Sequence, residues 1–413
     1  MKLTARFPAG PPGTVDEVLA GVVAAAAGPA RLGVGDPRIV DFLHGFSRRL
    51  LAPAVARRHP ELGPLGFFLR RTETERQLTR LRAGLELDDA LAFPRGLVFH
   101  VPPANVDTIF VYSWAVAALA GNANVVRIST RAAGVADIVL DALNESLADA
   151  DPVVAQTQRM ITYGHDDAIT ARLSAACDVR VVWGGDRSVT DVRRHPLAPA
   201  ARDLTFPDRA SFAVISVAGW LAADTAARRD AAERLANDVY WFDQAACASP
   251  RAIFLVGDPV AAGAVRAELV TLVGAAVRDK GWDVDAAMAV EKRVGAYGVA
   301  ADGDASAVAF AGNAVATLRL TAPAAAPRRW LGAGTLPFAT VDRLTDLIPV
   351  IQRKDQTLSH FGFDRAELVA FAHALGGRGI DRIVPLGAAL SFAAIWDGYD
   401  LAREFCRLVT VDA

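Results

Sequence analysis

Residues 96–128 read GLVFHVPPANVDTIFVYSWAVAALAGNANVVRI, and this stretch decides the fold class of the chain. The apolar run at 96–101 predicts a buried strand, 108–120 predicts a buried helix, and 124–128 predicts a second strand. Gly121 and Asn122 follow the helix, where such residues typically end one. Because a strand, a helix and a second strand follow one another, the stretch predicts a parallel βαβ unit.

The alternation of strands and helices continues toward the C-terminus. Further strands are predicted at 159–163, 179–183, 211–216, 252–256 and 315–320. Helices are predicted at 132–147, 167–176, 222–240, 259–277 and 344–351. Residues 1–88 predict mainly helices, and the Pro- and Ala-rich residues 322–327 predict an exposed loop. The whole pattern predicts an α/β fold with parallel sheets, in which ligands bind beyond the carboxyl ends of the strands.

Length and composition limit the function classes. The chain has 413 residues, too many for one ordinary core, so two or three domains are expected. A hydrophobic fraction of 52% is typical of a packed globular protein, and a net charge of -2 argues against a general nucleic-acid surface. The longest apolar stretches, 18–27 and 109–120, are shorter than the roughly 18 residues of a membrane span. The N-terminus lacks an apolar signal region, so we expect no membrane span and a cytoplasmic protein.

A short stretch around a cysteine is the main candidate for chemistry. Residues 243–250 read DQAACASP and precede the strand at 252–256, so Cys247 is expected on a loop leading into the core. Small neighbours would leave room for a substrate at the thiol, although cysteine also serves as a small buried apolar residue. Cys177, Cys247 and Cys406 are widely separated and form no CxxC pair, so neither a metal site nor a disulfide is expected.

Polar residues follow two of the predicted strands. Asn105 follows the strand at 96–101, where its amide could stabilise an oxyanion, although an Asn after two prolines is more often a turn residue. Arg127, Ser129 and Thr130 stand at the end of the next strand. A basic and two hydroxyl side chains there suit an adenosine ribose or its phosphate, although the arginine alone could be a surface residue.

Glycines follow the strand at 179–183. Gly184 and Gly185 come directly after it, and Ser188 lies three residues further on. Backbone N–H groups and a helix N-terminus at this position could bind a pyrophosphate. The chain has no GxGxxG, so this is not the usual dinucleotide fingerprint, and the signal is weak alone.

Several motifs, taken in order, resemble one known family. They are PEL at 60–62, FFLR at 67–70, VPPANV at 101–106, GNANVVR at 121–127, WGGD at 183–186, DQ at 243–244, CASP at 247–250, DRI at 381–383 and WDG at 396–398. Over roughly residues 40–410 the chain resembles the LuxC-type acyl-CoA reductases, the fatty acid reductases of the aldehyde dehydrogenase superfamily. The resemblance implies an aldehyde dehydrogenase-like α/β fold with two Rossmann-like parallel-sheet domains.

The resemblance also implies a division of the chain. We expect a helical N-terminal segment at 1–88, an NAD(P)-binding domain at 89–208 and a catalytic domain carrying the cysteine at 209–385. Residues 386–413 are expected to pack back on the domains or to form an oligomer interface.

Roles for the candidate residues follow from the same resemblance. Cys247 matches the family nucleophile, and Asn105 falls where the family places the oxyanion amide. Arg127 falls where relatives place a lysine that contacts the adenosine ribose, and residues 184–188 fall in the loop near the cofactor phosphates. The family's glutamate that holds the nicotinamide ribose has no convincing counterpart in this sequence.

Two departures from the family pattern bear on the reaction. Hydrolytic aldehyde dehydrogenases carry a Glu-Leu-Gly-Gly segment whose Glu activates water, but this chain has TFPD at 205–208, which favours thioester reduction over oxidation to an acid. Where NAD-selective relatives place a Glu, this chain has Thr130 followed by Arg131. An uncharged residue there favours NADPH, with NADH as the alternative.

The sequence therefore predicts NADPH-dependent reduction of an acyl thioester to the aldehyde through a thioacyl-enzyme at Cys247. The expected substrate is an acyl-CoA or an acyl carrier protein thioester, and the expected assembly is a homo-oligomer. Three alternatives stay open: an aldehyde dehydrogenase working in the oxidative direction, a cofactor-independent cysteine acyltransferase or thioesterase, and a non-catalytic partner subunit.

Overall fold

The computed structural model describes residues 2–87, 89–103, 108–130 and 134–411. The chain forms two compact units, one made of Met1–Pro207 with Phe392–Ala413 and the other of Asp208–Ser391. The predicted N-terminal segment, 1–88, lies in the first unit, and the predicted C-terminal segment is divided between the two units after residue 391.

The first unit is built on a mostly parallel sheet. The strands of the first unit up to residue 207 are β1 (Lys2–Phe7), β2 (Gly13–Thr14), β3 (Ala90–Pro94), β4 (Leu97–Val101), β5 (Ala123–Ile128), β6 (Gln158–Thr162), β7 (Val179–Trp183) and β8 (Arg202–Phe206), and all of them except β3 belong to this sheet. Within the described residues the sheet order is β2-β1-β6-β5-β4-β7-β8. Strands β6, β5, β4, β7 and β8 run parallel, whereas β1 pairs with β6 in the antiparallel sense. The predicted βαβ unit of residues 96–128 is thus the centre of this sheet.

Helices cover both faces of the first sheet. They are α1 (Val15–Ala27), α2 (Pro37–Leu50), α3 (Pro53–Arg58), α4 (Gly63–Phe68), α5 (Arg71–Leu87), α6 (Ile109–Leu119), α7 (Val135–Ser146), α8 (Pro152–Thr157), α9 (Asp167–Ala176) and α10 (Asp186–Arg193). Helix α6 is buried along its whole length, and Gly121 adopts a positive φ of 79° just after it. A side chain at that position would collide with the backbone of Gly33, so glycine is required there.

The N-terminal segment is not only helical as predicted. Strand β1 adds Lys2–Phe7 to the sheet edge next to β6, and Leu3 and Phe7 are its buried side chains. Its charged and polar residues alternate with apolar ones, a weak strand signal, and its partner strand lies about 150 residues further along the chain. A pairing at that distance is invisible to local patterns.

The second unit has its own sheet. Its strands are β9 (Ala210–Ser216), β10 (Pro250–Val256), β11 (Ala305–Ala311), β12 (Val315–Leu320), β13 (Thr335–Val341), β14 (Asp355–Phe361) and β15 (Arg382–Pro385). In the described residues the order is β11-β12-β13-β10-β9-β14-β15, parallel except for the β11–β12 hairpin. Its helices are α11 (Val217–Ala222), α12 (Thr225–Tyr240), α13 (Pro259–Asp279), α14 (Ala286–Ala301) and α15 (Arg365–Leu375).

Two predictions for the second unit were wrong. The helix predicted at 344–351 is only a short 3-10 turn, Leu344–Leu347, because Pro349 removes a backbone donor and disfavours helix in the residue before it. The loop at 322–327 is not simply exposed, since Ala326 is buried in the core.

Helix α13 is the one helix in the described residues that is long and apolar enough to cross a membrane by length and composition. The apolar-stretch estimate overlooked it because Arg266 and Glu268 interrupt its apolar run. One face of α13, including Val265, Leu269 and Val273, packs into the core of the second unit. A core helix passes the same length and composition test, so the feature is weak evidence for a span.

The chain returns to the first unit at its C-terminal end. The returning elements are β16 (Ile395–Trp396), β17 (Tyr399–Asp400), α16 (Leu401–Glu404) and β18 (Cys406–Thr410). Strand β18 pairs with β3 in a separate two-stranded ribbon. Phe392 stacks on Tyr112 of α6 with ring centroids 4.8 Å apart, so aromatic packing fixes the returning segment to the first unit.

Candidate active site

The three cysteines differ in their surroundings. Cys177 and Cys406 are buried, and burial raises the pKa of Cys177 to about 12 and that of Cys406 to about 11. Both thiols therefore stay protonated near neutral pH and are poor nucleophiles. Cys247 is partly exposed and lies on the loop between α12 and β10. It is the thiol that a substrate could reach.

The backbone of the Cys247 loop is anchored on neighbouring strands. The carbonyl oxygen of Cys247 accepts a hydrogen bond from Oγ of Ser211 at 2.7 Å, and Ser211 is fully buried at the start of β9. The N–H of Ser249 donates to the carbonyl of Ala246 at 3.1 Å, which closes a tight turn around the cysteine. Pro250 then begins β10, the central strand between β9 and β13. The thiol thus stands on a short turn at the amino end of a buried strand.

Arg251 is a cation near this loop. Its Nη1 donates to the carbonyl of Arg328, and its Nε has no hydrogen-bond partner among the described residues. Burial lowers the pKa of the Arg251 guanidinium, while the negative charges of Asp208 and of a Cys247 thiolate act in the opposite direction. The guanidinium charge therefore attracts a thiolate at Cys247.

The first unit contains a cleft of about 750 Å³ at the carboxyl ends of its parallel strands. All six residues predicted for cofactor binding line it: Arg127, Ser129, Thr130, Gly184, Gly185 and Ser188. Strands β5 and β7 lie on opposite sides of β4, so their carboxyl ends bring these two groups to one edge of the sheet. Such an edge is where open parallel sheets bind nucleotides.

The residues of the cleft fit a dinucleotide. Arg127 lies with its guanidinium carbon 4.8 Å from the ring centroid of Tyr163, and its buried Nε has no hydrogen-bond partner among the described residues. Helix α10 opens at the cleft with Gly185 as its N-cap, and no side chain caps its first turn. Backbone donors at an uncapped helix start bind phosphate oxygens readily. A cation and an open helix N-terminus therefore face the same cavity.

A buried ion pair supports the wall of this cleft. Arg180 on β7 is 1% exposed, and its Nη2 lies 2.7 Å from Oδ2 of Asp203. Its Nη1 donates to the carbonyls of Val192 and His195, at the C-terminal end of α10. The Arg180 guanidinium thus connects the C-terminal end of α10 to the sheet. This contact keeps the N-terminal end of the same helix in place at the cleft.

A network of buried polar side chains is centred on His100 of β4, the strand that precedes Asn105 in the sequence. Nδ1 of His100 is 2.8 Å from Oγ of Ser113, and Nε2 of His100 is 2.9 Å from Oδ1 of Asn124. Asn124 in turn donates to Oε1 of Gln158 at 2.8 Å. His100 is fully buried, and burial lowers its pKa to about 4, so the ring is neutral. The network joins β4, β5, β6 and α6.

Two further parts of the sequence prediction are the residues Asn105 and Arg131 and the TFPD segment at 205–208. Asn105 and Arg131 lie outside the described residues. The TFPD segment ends β8, where the ring of Phe206 stacks on Trp183 with centroids 3.7 Å apart. Its one carboxylate, Asp208, lies 3.2 Å from Nζ of Lys354.

Sequence patterns overlooked several residues around the site. Gln244 contacts Thr335 of β13, Ser211 contacts the Cys247 loop, and Arg180 contacts Asp203 of β8, and none of these partners is a near neighbour along the chain. Each lies in a stretch whose pattern already predicts a strand or belongs to a motif, so the local sequence gives no separate sign of its role at the site. In the described residues no group of three or more His, Cys, Asp or Glu side chains could hold a metal ion.

Solved structures with this architecture define the class of the fold. An NAD-dependent aldehyde dehydrogenase from Sinorhizobium meliloti superposes with a TM-score of 0.67 at 13% identity, covering 96% of this chain and 86% of that one. A bifunctional proline utilization A protein superposes with a TM-score of 0.66 at 18% identity, covering 97% of this chain and 44% of that one. The chain therefore has an aldehyde dehydrogenase-like fold, as predicted.

Sequence comparison shows a resemblance to a family within this class. Residues 88–281 match the family model described as acyl-CoA reductase (LuxC), a region that spans every predicted site residue. The long-chain acyl-protein thioester reductase of Photorhabdus laumondii subsp. laumondii is 25% identical over 328 residues, and long-chain acyl-protein thioester reductase 2 of Photobacterium leiognathi is 26% identical over 172 residues. These matches confirm that the chain resembles the LuxC-type acyl-CoA reductases of the aldehyde dehydrogenase superfamily.

The matches differ in their coverage. The Photorhabdus alignment covers 77% of this chain and 64% of its relative, and the Photobacterium alignment covers 41% and 34%. The chain thus spans less than two thirds of these curated relatives.

Proposed function

We propose that this protein reduces acyl thioesters to aldehydes with NADPH, through a thioacyl-enzyme on Cys247. The observation that carries the proposal is that Cys247, alone among the three cysteines, is partly exposed on an anchored turn. The family match over residues 88–281 includes this cysteine and supports the same reaction. The curated relatives are named as acyl-protein thioester reductases, so acyl-CoA and carrier-bound acyl groups are both candidate substrates.

The chain's own residues account for the acylation half of the reaction. The Cys247 thiolate, stabilised by the Arg251 guanidinium, attacks the thioester carbonyl, and the carbonyl electrons move onto oxygen. The Cys247 N–H and the Asn105 amide are the proposed donors to this oxyanion. The intermediate collapses and expels the carrier thiolate, which takes a proton from solvent. A thioester between the acyl group and Cys247 remains.

Reduction needs a hydride and a stable thioacyl-enzyme. Bound NADPH would supply the hydride to the thioester carbonyl. Cys247 then leaves as a thiolate and the acyl group departs as the aldehyde. The segment at 205–208 has no glutamate to activate water, and the carboxylate of Asp208 pairs with Lys354. This favours a thioacyl group that survives until it is reduced.

The proposed cofactor preference rests on the ribose end of the cleft. Arg127 and Thr130 line it, and neither repels a 2′-phosphate. Changing Thr130→Glu would place a negative charge there, so we expect KM for NADPH to rise about tenfold or more, with a smaller change for NADH. Thr130→Gln is the matched uncharged control and should leave the ratio of the two KM values near that of wild type. Equal effects of the two substitutions on this ratio would contradict the NADPH assignment.

The decisive experiment combines a panel of acyl thioesters with aldehyde detection. Wild-type protein should consume NADPH and release aldehyde, and mass spectrometry without cofactor should show an acyl adduct on Cys247. Cys247→Ser should lose both signals, whereas Cys177→Ser, which changes a buried thiol, should retain them. Absence of nicotinamide binding would instead support a cofactor-independent acyltransferase. Oxidation of aldehydes to acids without any thioester reduction would support a dehydrogenase.

We also propose that the protein forms a homo-oligomer and is located in the cytoplasm. Size-exclusion chromatography with light scattering measures the first. Fractionation of cells that express the protein measures the second.

A further inference from the structure

The backbone just before the nucleophile loop is strained. Phe242, Asp243 and Gln244 are three consecutive non-glycine residues in the left-handed region, with φ of 54°, 54° and 59°. Residues with a Cβ seldom adopt this conformation, and they hold it only where the surrounding contacts over-determine it. Three in succession, three residues before Cys247, need a specific set of contacts.

The Gln244 side chain supplies most of these contacts. It is 3% exposed, and its Nε2 donates to the carbonyl of Pro250 at 2.7 Å and to the carbonyl of Thr335 at 2.9 Å. Its Oε1 accepts from the Thr335 N–H at 3.1 Å. The bond to Pro250 closes a ring around residues 245–249, and the bonds to Thr335 fasten that ring to the start of β13.

A second contact holds the turn from the other side. Nε1 of Trp330 donates to the carbonyl of Asp243 at 2.8 Å. Asp243 itself is exposed, and this contact acts on its backbone. The left-handed turn is therefore fixed by two side chains, Gln244 and Trp330.

We propose that Gln244 is a positioning residue for Cys247, whose amide maintains the left-handed turn at 242–244 and thereby fixes the ring that carries the thiol. This inference rests on the proposed function of Cys247 as nucleophile. Gln244 does not touch the acyl group. It acts by keeping the Cys247 thiol and N–H in one arrangement, so its loss changes the rate of acylation and not substrate affinity.

The test compares Gln244→Ala and Gln244→Glu with wild type. Glu keeps an oxygen that can accept from Thr335 but loses both donated bonds, and it serves where the alanine variant fails to fold. We expect the rate constant of Cys247 acylation to fall about 10-fold to 100-fold, with KM for the thioester changed by no more than about twofold. Chymotrypsin, which cuts after aromatic residues, should cleave the variants faster after Trp241 and Phe242, because the turn opens.

Substitution of Asp243 by glycine separates positioning from ordinary packing. Glycine adopts a positive φ without cost, so the left-handed turn then depends less on Gln244. The acylation and cleavage penalties of Gln244→Ala should both be several-fold smaller in the Asp243→Gly background. Gln158→Ala removes another fully buried glutamine, in the first unit, and any penalty it causes should not shrink with Asp243→Gly.

The outcomes are distinct. Gln244 variants that acylate and resist chymotrypsin like wild type, or penalties that Asp243→Gly leaves unchanged, would overturn the positioning role. Wild-type protein that forms no acyl-enzyme would overturn the proposed function instead. The chymotrypsin comparison would still decide whether Gln244 maintains the turn.

Discussion

Acid should destabilise the first unit in part through His100. The ring is fully buried, and burial lowers its pKa from 6.5 to about 4 despite the hydrogen bond to Asn124. The unfolded chain takes up a proton at this histidine near pH 6.5, whereas the folded chain does so only near pH 4. The contribution of His100 to stability is therefore complete above pH 6.5 and is lost progressively as the pH falls from 6.5 to 4.

The size of the effect follows from the difference between the two pKa values. Each pKa unit corresponds to about 1.36 kcal/mol, so the full loss below pH 4 is on the order of 3 kcal/mol. Linkage places about 2 kcal/mol of this loss between pH 7.5 and pH 5. For a domain of ordinary stability this is a large fraction of the free energy of unfolding.

The assay is hydrogen exchange of peptides from α6, which packs against the His100 network through Ser113. After correction for the intrinsic pH dependence of exchange, wild type should lose about 2 kcal/mol of protection in α6 between pH 7.5 and pH 5. His100→Gln should be less stable at pH 7.5 but should lose much less on acidification. His165→Gln, which changes an exposed histidine, should behave like wild type. An equal pH dependence in His100→Gln and wild type, or an NMR titration of His100 near pH 6.5, would refute the reasoning.

Two further substitutions test contacts that hold the two sides of the proposed site. Arg180→Met should destabilise the first unit by about 3–5 kcal/mol, because it leaves the partly buried Asp203 carboxylate without its main partner. Arg193→Met removes an exposed contact to the same carboxylate and should cost less than about 1 kcal/mol. Thermal unfolding of the two variants measures this difference in stability. Ser211→Ala removes the hydrogen bond to the Cys247 carbonyl, which is worth about 1 kcal/mol, and should slow the formation of the acyl-enzyme. Mass spectrometry measures this rate, and an unchanged rate would show that the hydrogen bond is not needed to hold the loop.

The sequence predicts the elements whose signals are local. Helix α1, Val15–Ala27, lies in the segment predicted to be mainly helical, and its ends have local signals because Thr14 and Glu17 form a capping box and Gly28 follows its last residue. The turn at Leu344–Leu347 shows the opposite case, since apolar spacing suggested a longer helix that Pro349 prevents. Strand β1 was missed because its local pattern is a weak strand signal and its longer pairing, with β6, joins residues far apart along the chain.

The same distinction applies to the candidate site. Residues at the carboxyl ends of β5 and β7 could be named from the sequence, because parallel topology brings strand ends together. Gln244 could not be recognised as more than part of a motif, since its partner Thr335 is 91 residues away. The reactivity of a cysteine also depends on burial, which separates Cys247 from Cys177 and Cys406 but leaves no trace in the spacing.

The lifetime of the thioacyl group decides whether it is reduced or hydrolysed. Charged side chains of the second unit influence this lifetime. A carboxylate activates water best when it is free to take a proton. Asp208 is the carboxylate that the 205–208 segment offers, and it is paired with Lys354 at 3.2 Å and coupled to the Arg251 guanidinium. The guanidinium that attracts Asp208 also attracts the thiolate that must form and later leave. The Arg251 cation therefore favours acylation of Cys247, while the one carboxylate of the 205–208 segment is engaged by Lys354, as the proposed reduction requires.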